Sequence, residues 1–236
     1  MSDTSSTLRI VWIYPDLLST YGDQGNALIL NRRAQLRGIP TEVVYVYSSD
    51  PVPAEGDIYL LGGGEDRPQI LAADRLRSDG GLKRAVENGA SVFAVCAGYQ
   101  IIGESYGDDD DNPLPGVGIL DIHSGRGESR AVGEIVAQLD PTLGGGRITG
   151  FENHQGRSRL GSDAAPLSYT SVGIGNDGQT EGAYQGKVVG TYLHGPALPR
   201  NPELADLVLR WRVGTLEPLA PSWGEKLHEE RLTAAV

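Results

Sequence analysis

"FAVCAGYQIIG" occupies Phe93–Gly103 and holds the only cysteine of the chain, Cys96. The stretch leading into it, "ASVFAVC", is apolar enough for a strand buried on both faces of a parallel sheet. Two small residues, Ala97 and Gly98, follow Cys96 at once, and a helix is expected after them. A strand passing into a helix through small residues has the geometry of a nucleophile elbow, where a strained turn exposes one side chain. Free cysteine is also among the most buried residue types. Cys96 therefore has two readings, a small core residue or a nucleophile whose thiolate the helix N-terminus favours. The usual elbow has glycine two positions before the nucleophile, and here that position is Ala94.

On either side of this stretch, strand and helix signals alternate. "LRIVWIY" (Leu8–Tyr14) reads as a strand stopped by Pro15. A helix is expected over about Asp23–Arg37, with Asp23 as its favoured cap and Gly38 and Pro40 closing it. "TEVVYVY" (Thr41–Tyr47) and "DIYLLGGG" (Asp57–Gly64) read as strands, and "SDGGLKRAVENG" holds a short helix. This βαβ pattern predicts an α/β fold with a mainly parallel sheet. After Gly116 short strand-like runs dominate: "GVGILDI", "AVGEIVAQL", "RITGFEN", "SYTSVG", "GAYQG" and "KVVGTYLHG". They are expected to be antiparallel additions in the C-terminal half. "NPELADLVLRWRVG" is the last clear helix, capped by Asn201 with Pro202 at its first position. The first seven residues and the tail from about residue 213 read as loosely held.

Composition narrows the function classes. A length of 236 residues suits one α/β domain, and 39% apolar with 22% charged residues suits a globular chain. A single cysteine excludes an internal disulfide and points to a reducing compartment. The net charge of −11 and the lack of a Lys/Arg-rich block argue against a nucleic-acid partner. The N-terminus does not read as a signal peptide, and no apolar run reaches the roughly 20 residues of a membrane span.

A thiolate that attacks a carbonyl needs main-chain donors for the oxyanion and a base. "LLGGGED" (Leu60–Asp66) ends a strand, and its glycines allow close backbone approach; it is otherwise a plain turn. Of the four histidines, His194 ends the apolar run "VVGTYLHGP", and strand ends are where α/β sheets place chemistry. His123 falls in a loop and His228 in the charged tail. "GIGNDG" (Gly173–Gly178) fits a dinucleotide pattern by letter, but no helix follows it. "GDDDDNP", with Asp108–Asp111, reads as a solvated loop rather than a metal site.

"GGGED", "VCAGYQIIG", "GFENHQGR" and "GTYLHGP", in this order, resemble the class I glutamine amidotransferases of the cobyric-acid-synthase-like branch. "YPDLLSTYGDQGN" is similar to the glutaminase subunits of lipid II isoglutaminyl synthase. The resemblance covers residues 8–212 and leaves a tail over 213–236. It implies a three-layer α/β fold and a Cys96 nucleophile on the side-chain amide of L-glutamine. It implies His194 as the proton carrier, and amides near Gly63 and Gly64 with that of Ala97 as the oxyanion hole. Arg130 in "SRAVGEIV" is implied as a substrate contact, though by residue type alone it is a surface arginine. Gln100 and His154 are further candidates, and "ENHQGR" either lines the glutamine pocket or packs the layer of short strands.

The glutamate common two residues after the histidine is Pro196 here. The third acid is therefore open: it is absent, or it is Glu203, Glu152, Asp23 or a residue of a partner. Asp23 and Asn26 sit at the mouth of the site or cap the first helix, and capping is favoured. The resemblance also implies no cofactor in this chain. ATP and magnesium are expected on a Mur-ligase-like subunit of the MurT type that forms a cytoplasmic heterodimer with it and receives ammonia to amidate lipid II. Another amidotransferase glutaminase, such as one for cobyrinate, and a non-catalytic module on the same scaffold are the alternatives.

Overall fold

The computed structural model describes residues 7–107, 111–221 and 223–234. The expectations for residues 1–6 and for Asp108–Asp110 lie outside the described residues. In chain order the elements are β1 (Leu8–Ile13), α1 (Gln24–Gln35), β2 (Thr41–Val46), β3 (Ile58–Leu61), α2 (Asp66–Asp79), α3 (Gly81–Glu87), β4 (Ser91–Val95) and α4 (Ala97–Ile101). Two short strands follow, β5 (Ser105–Tyr106) and β6 (Leu114–Pro115). Long strands β7 (Ile122–Leu139) and β8 (Arg147–Leu160) precede β9 (Ala165–Val172), β10 (Thr180–Gln185) and β11 (Val188–Thr191). The chain closes with α5 (Ala197–Arg200), α6 (Pro202–Val213) and α7 (Trp223–Ala234).

One sheet runs through the molecule in the order β2-β1-β3-β4-β11-β10-β9-β7-β5-β6, with β8 paired to β7. The segment from β2 to β11 is parallel throughout. The pairs β11-β10, β10-β9, β9-β7 and β7-β8 are antiparallel, so the C-terminal half carries the antiparallel additions that its short strand signals predicted.

Strand periodicity explains the layers. In β1, Ile10 packs with α1 and α6 while its neighbour Val11 packs on the opposite side with α2 and α3. In β4, Phe93 and Ala94 divide in the same way. Every residue of β3, β4 and β11 is buried, as a parallel sheet covered on both faces requires.

Three segments depart from the sequence reading. α2 had no clear signal: its buried side is only Gln69, Ala72, Ala73 and Leu76, while Ile70 and Leu71 face solvent. The expected strand "GVGILDI" is irregular up to Ile122. Its amides instead satisfy carbonyls at the end of α4, Val117 N–H donating to Ile101 O (2.8 Å) and Gly118 N–H to Gly103 O (2.9 Å). The tail is not loose throughout. α7 packs on α5 and β8, and His228 Nδ1 lies 2.9 Å from the carbonyl oxygen of Arg200.

Candidate active site

Cys96 stands between β4 and α4 with φ 52° and ψ −106°, one of three described non-glycine residues with positive φ. Few side chains adopt this conformation, and it persists only where the surroundings impose it. They do so here. Cys96 N–H donates to Thr191 O (2.8 Å) on the neighbouring β11, and Gln100 N–H donates to Cys96 O (3.0 Å) within the new helix. Gly98 lets the end of β3 close in: its N–H donates to Gly62 O (3.1 Å), and an added Cβ would lie 2.8 Å from Leu61 Cβ. The sulfur-bearing residue is half-buried at the wall of a cavity.

His194 follows β11 after Tyr192 and Leu193. Its main chain is held to β8 by a reciprocal pair with Phe151, His194 N–H to Phe151 O at 2.9 Å and Phe151 N–H to His194 O at 3.0 Å. Its buried imidazole Nδ1 lies 3.3 Å from Oδ1 of Asp23, also buried. Burial alone would push the imidazole down. The hydrogen bond to Asp23 and the negative charges of Asp23 and Cys96 outweigh burial and hold it up to about 10, while Nε2 has no hydrogen-bond partner among the described residues. The site thus favours an imidazolium beside the cysteine sulfur.

Asp23 is the candidate acid that reaches the histidine. It occupies the position before α1, but its side chain makes no capping bond. The favoured capping reading is therefore corrected: Oδ2 accepts the Gly63 N–H (2.7 Å) and Oδ1 faces His194. Asn26 does not cap either; its Oδ1 accepts the N–H of Leu198 (2.9 Å) and ties α1 to α5. Glu152 is spent elsewhere, accepting Ile174 N–H and Gly175 N–H (both 2.8 Å) and facing His154 Nε2 at 3.4 Å. Burial pushes Glu152 up, but these bonds outweigh it and hold it below the usual carboxylate range. Glu203 lines a cavity under α7 with His228 and Leu232, remote from the cysteine.

The same bond corrects the oxyanion expectation at Gly63. Its single N–H is committed to Asp23, so it is not free for a developing negative charge. Gly64 and Ala97 remain. Their amides have no partner among the described residues, Ala97 as the first residue of a helix. A Cβ built on Gly64 would lie 3.9 Å from Ala97 Cβ, so the two residues are neighbours beside the cysteine.

A cavity of about 290 Å³ opens over Cys96, with Gln69, Gln100, Arg130, Asn153 and His154 in its walls. Arg130 lies on β7 and its Nε donates to Asn153 Oδ1 (2.8 Å). The Gln100 amide is committed to its neighbours: Oε1 accepts from Gln69 (2.6 Å) and Nε2 donates to Tyr192 OH (3.2 Å). His154 is buried and stacked on Tyr192 with ring centroids 3.8 Å apart. Tyr21, Gln69 and Asn153 belong to the site without having been singled out from sequence. Only the position of Asn153 inside "ENHQGR" and of Tyr21 inside "YGDQGN" marks them. A larger cavity of about 780 Å³ shares Gly125 and Arg126 with this one and includes His123, but neither Cys96 nor His194 lines it.

Comparison with known proteins identifies the family. The CobB/CobQ-like glutamine amidotransferase domain matches residues 9–202. The GatD subunit of lipid II isoglutaminyl synthase (glutamine-hydrolyzing) from Staphylococcus aureus is 38% identical over 86% of this chain and 83% of its own. The Streptococcus pneumoniae GatD is 34% identical over 84% and 77%. A cobyric acid synthase from Rhodobacter capsulatus is 30% identical over 65% of this chain but only 32% of its own. Among solved structures, a glutamine amidotransferase superposes with TM-score 0.60 at 20% identity, covering 86% of this chain and 98% of the other. The glutaminase domain of Trypanosoma brucei CTPS does so with TM-score 0.53 at 12% identity, covering 91% and 97%. At such identities these two likenesses speak for the fold.

Proposed function

This chain belongs to the CobB/CobQ-like glutamine amidotransferase family, and we propose that it is the glutaminase subunit of a lipid II isoglutaminyl synthase. The observation that carries the reading is that the chain's only cysteine, in strained backbone at a strand–helix junction, lies close enough to a buried imidazole held by Asp23 for its charge to raise that imidazole. The two GatD relatives support it over most of their length, whereas the cobyric acid synthase matches over about a third of its own.

L-Glutamine enters with its α-carboxylate on Arg130. Asn153 occupies the Nε side of the guanidinium and leaves the edge formed by the two terminal nitrogens for a bidentate pair. The Cys96 thiolate attacks the side-chain amide carbon, and the carbonyl electron pair moves onto oxygen, where the Gly64 and Ala97 amides receive it. The His194 imidazolium gives its proton to the departing nitrogen, the C–N bond breaks and ammonia leaves a γ-glutamyl thioester. Water then attacks the thioester carbon while His194 takes its proton. The C–S bond breaks, and glutamate and the thiolate–imidazolium pair are restored. Asp23 keeps the imidazole oriented and balances its charge.

Ammonia passes to a Mur-ligase-like partner of the MurT type. The chain lacks a G-x-x-x-x-G-K-[ST] loop, so the partner uses ATP and magnesium to activate the acceptor. That acceptor is the D-glutamate α-carboxyl of the lipid II stem, converted to D-isoglutamine in the cytoplasm. Among the described residues no helix is long and apolar enough to cross a membrane.

The test uses the chain together with its ligase partner and compares L-glutamine with ammonium as nitrogen source. Cys96→Ala should lower glutamine hydrolysis by at least about a thousandfold in a folded protein. Arg130→Ala should cripple glutamine-dependent amidation and spare amidation from ammonium. Substantial glutaminase in Cys96→Ala sinks the nucleophile. Equal loss of both amidations in Arg130→Ala moves that residue to the fold or the subunit contact.

A further inference from the structure

Tyr21 is held in left-handed backbone, φ 56° and ψ 24°, although its side chain is 48% exposed. A bulky residue in this region is strained, and so exposed a ring recovers little by burial. Two contacts account for it. Its ring meets the His194 imidazole edge-on, with centroids 4.9 Å apart and planes at 62°. Its hydroxyl lies 2.8 Å from Asn153 Nδ2.

The hydrogen bonds along this line have a direction. The Arg130 guanidinium can only donate, so the atom of Asn153 facing its Nε is the amide oxygen (2.8 Å). The amide nitrogen of Asn153 then donates to the Tyr21 hydroxyl, which leaves the phenol proton free to point into the cavity. Arg130, Asn153, Tyr21 and His194 form one continuous line from the group that reads the carboxylate to the group that moves the proton.

We infer that Tyr21 is a positioning residue for glutamine hydrolysis, coupling through Asn153 the seating of the substrate carboxylate on Arg130 to the placement of the His194 imidazole. The inference rests on the glutaminase reading above. When the carboxylate fixes Arg130, Asn153 and the phenol are fixed with it, and the ring settles against the imidazole. With an empty site the exposed ring and Arg130 have only each other's chain of bonds to hold them.

The experiment measures kcat and KM for L-glutamine on the full chain. It also measures alkylation of Cys96 by iodoacetamide with and without L-glutamine; the single cysteine makes the label specific. Tyr21→Phe keeps the ring and removes the phenol link, so it should act chiefly through KM and weaken glutamine protection of Cys96 by roughly tenfold, the value of one lost hydrogen bond. Asn153→Ala should match it, and the double variant should be no worse than either single, because both cut one chain. Tyr21→Gly relieves the backbone strain and removes the ring. Its melting temperature should be equal or higher while kcat falls by about tenfold or more, a combination a merely structural tyrosine does not give. Unchanged protection in Tyr21→Phe, additive losses in the double variant, or full kcat in Tyr21→Gly would each overturn the inference. A Cys96→Ala control separates the two failures: hydrolysis surviving there removes the glutaminase reading itself.

Discussion

Asp23 and His194 show how single side chains set the chemistry of this site. Both Asp23 oxygens accept, one from the Gly63 amide and one from the imidazole. An asparagine at this position must turn its amide nitrogen toward one of two donors. Asp23→Asn should therefore lower kcat by something like a hundredfold or more with little change in folding. It should also change the pH profile. The wild-type imidazole is held up to about 10, so the proton donor survives well into the alkaline range. Removing the Asp23 charge takes away a principal cause of that elevation, and the alkaline limb of kcat/KM should move toward neutral pH. A profile measured between pH 6 and 10.5 that keeps its alkaline limb in Asp23→Asn would reject this account. Asp23 was among the acids open from sequence, but its partner lies 171 positions away. No local pattern distinguishes a cap from a residue that turns inward to meet a distant histidine.

The elements that carry the reacting groups are locked to one another rather than merely adjacent. Glu181 on β10 accepts from Thr191 Oγ1 (2.8 Å) and from Tyr192 N–H (2.7 Å), fixing the end of β11 just before His194. Phe151 on β8 holds His194 itself. α1 meets the segment after the histidine so closely that a Cβ on Gly25 would lie 2.4 Å from Pro196 Cγ. Gly25→Ala tests this contact because two effects oppose each other. Helix propensity favours alanine by up to about 1 kcal/mol. Overpacking a close contact costs about 1–3 kcal/mol. The contact should win, giving a lower melting temperature together with slower Cys96 alkylation as the His194 segment is displaced. A stabilised and fully reactive Gly25→Ala would show that the interface yields freely. Most strands, α1 and α6 were legible from their apolar runs and the glycine and proline residues at their ends, although the expected caps are not made: Asp23 turns to His194, and the Asn201 side chain bonds Thr149 and Ala197 instead. α2 and α7 were not. α2 turns alanines and a glutamine inward, and α7 buries no residue fully.

Across the whole molecule, the central sheet encloses groups whose protonation links folding to pH. Glu181 is fully buried, and loss of solvation pushes it up to about 7 from an ordinary value of 4.5. The folded chain therefore holds a proton that the unfolded chain releases between those values. The associated stability is complete below about pH 4.5 and lost as the pH rises through about 7. His194 acts in the same direction in a higher window: its contribution is complete below about 6.5 and lost as the pH rises to about 10. The melting temperature should fall steadily from mildly acidic to alkaline pH. Glu181→Gln keeps an acceptor for Thr191 and Tyr192 and carries no charge into the core, so it should flatten the lower part of that decline and be at least as stable as wild type at pH 8. Thermal melts from pH 5 to 9 decide it, and a Glu181→Gln protein that is less stable than wild type at pH 8 contradicts the argument.

Much was readable along the chain because the information is local. The apolar run into Cys96 and the small residues after it specified a buried strand turning sharply into a helix. The shift after Gly116 from alternating strands and helices to short strands foretold the antiparallel half of the sheet. His194 at the end of an apolar run marked the second reacting group. Folding in three dimensions decided the rest: that Asp23 faces His194, that Gly63 spends its amide on Asp23, that Glu152 serves His154, and that Tyr21 and Asn153 join Arg130 to the imidazole. Apart from Glu152 and His154, which are near neighbours in the chain, these pairings join groups tens to hundreds of residues apart, and each hydrogen-bonding atom has only a few bonds to give. Which partner takes them is settled when the sheet brings distant loops to one edge, and that competition leaves no periodic trace in the order of the residues.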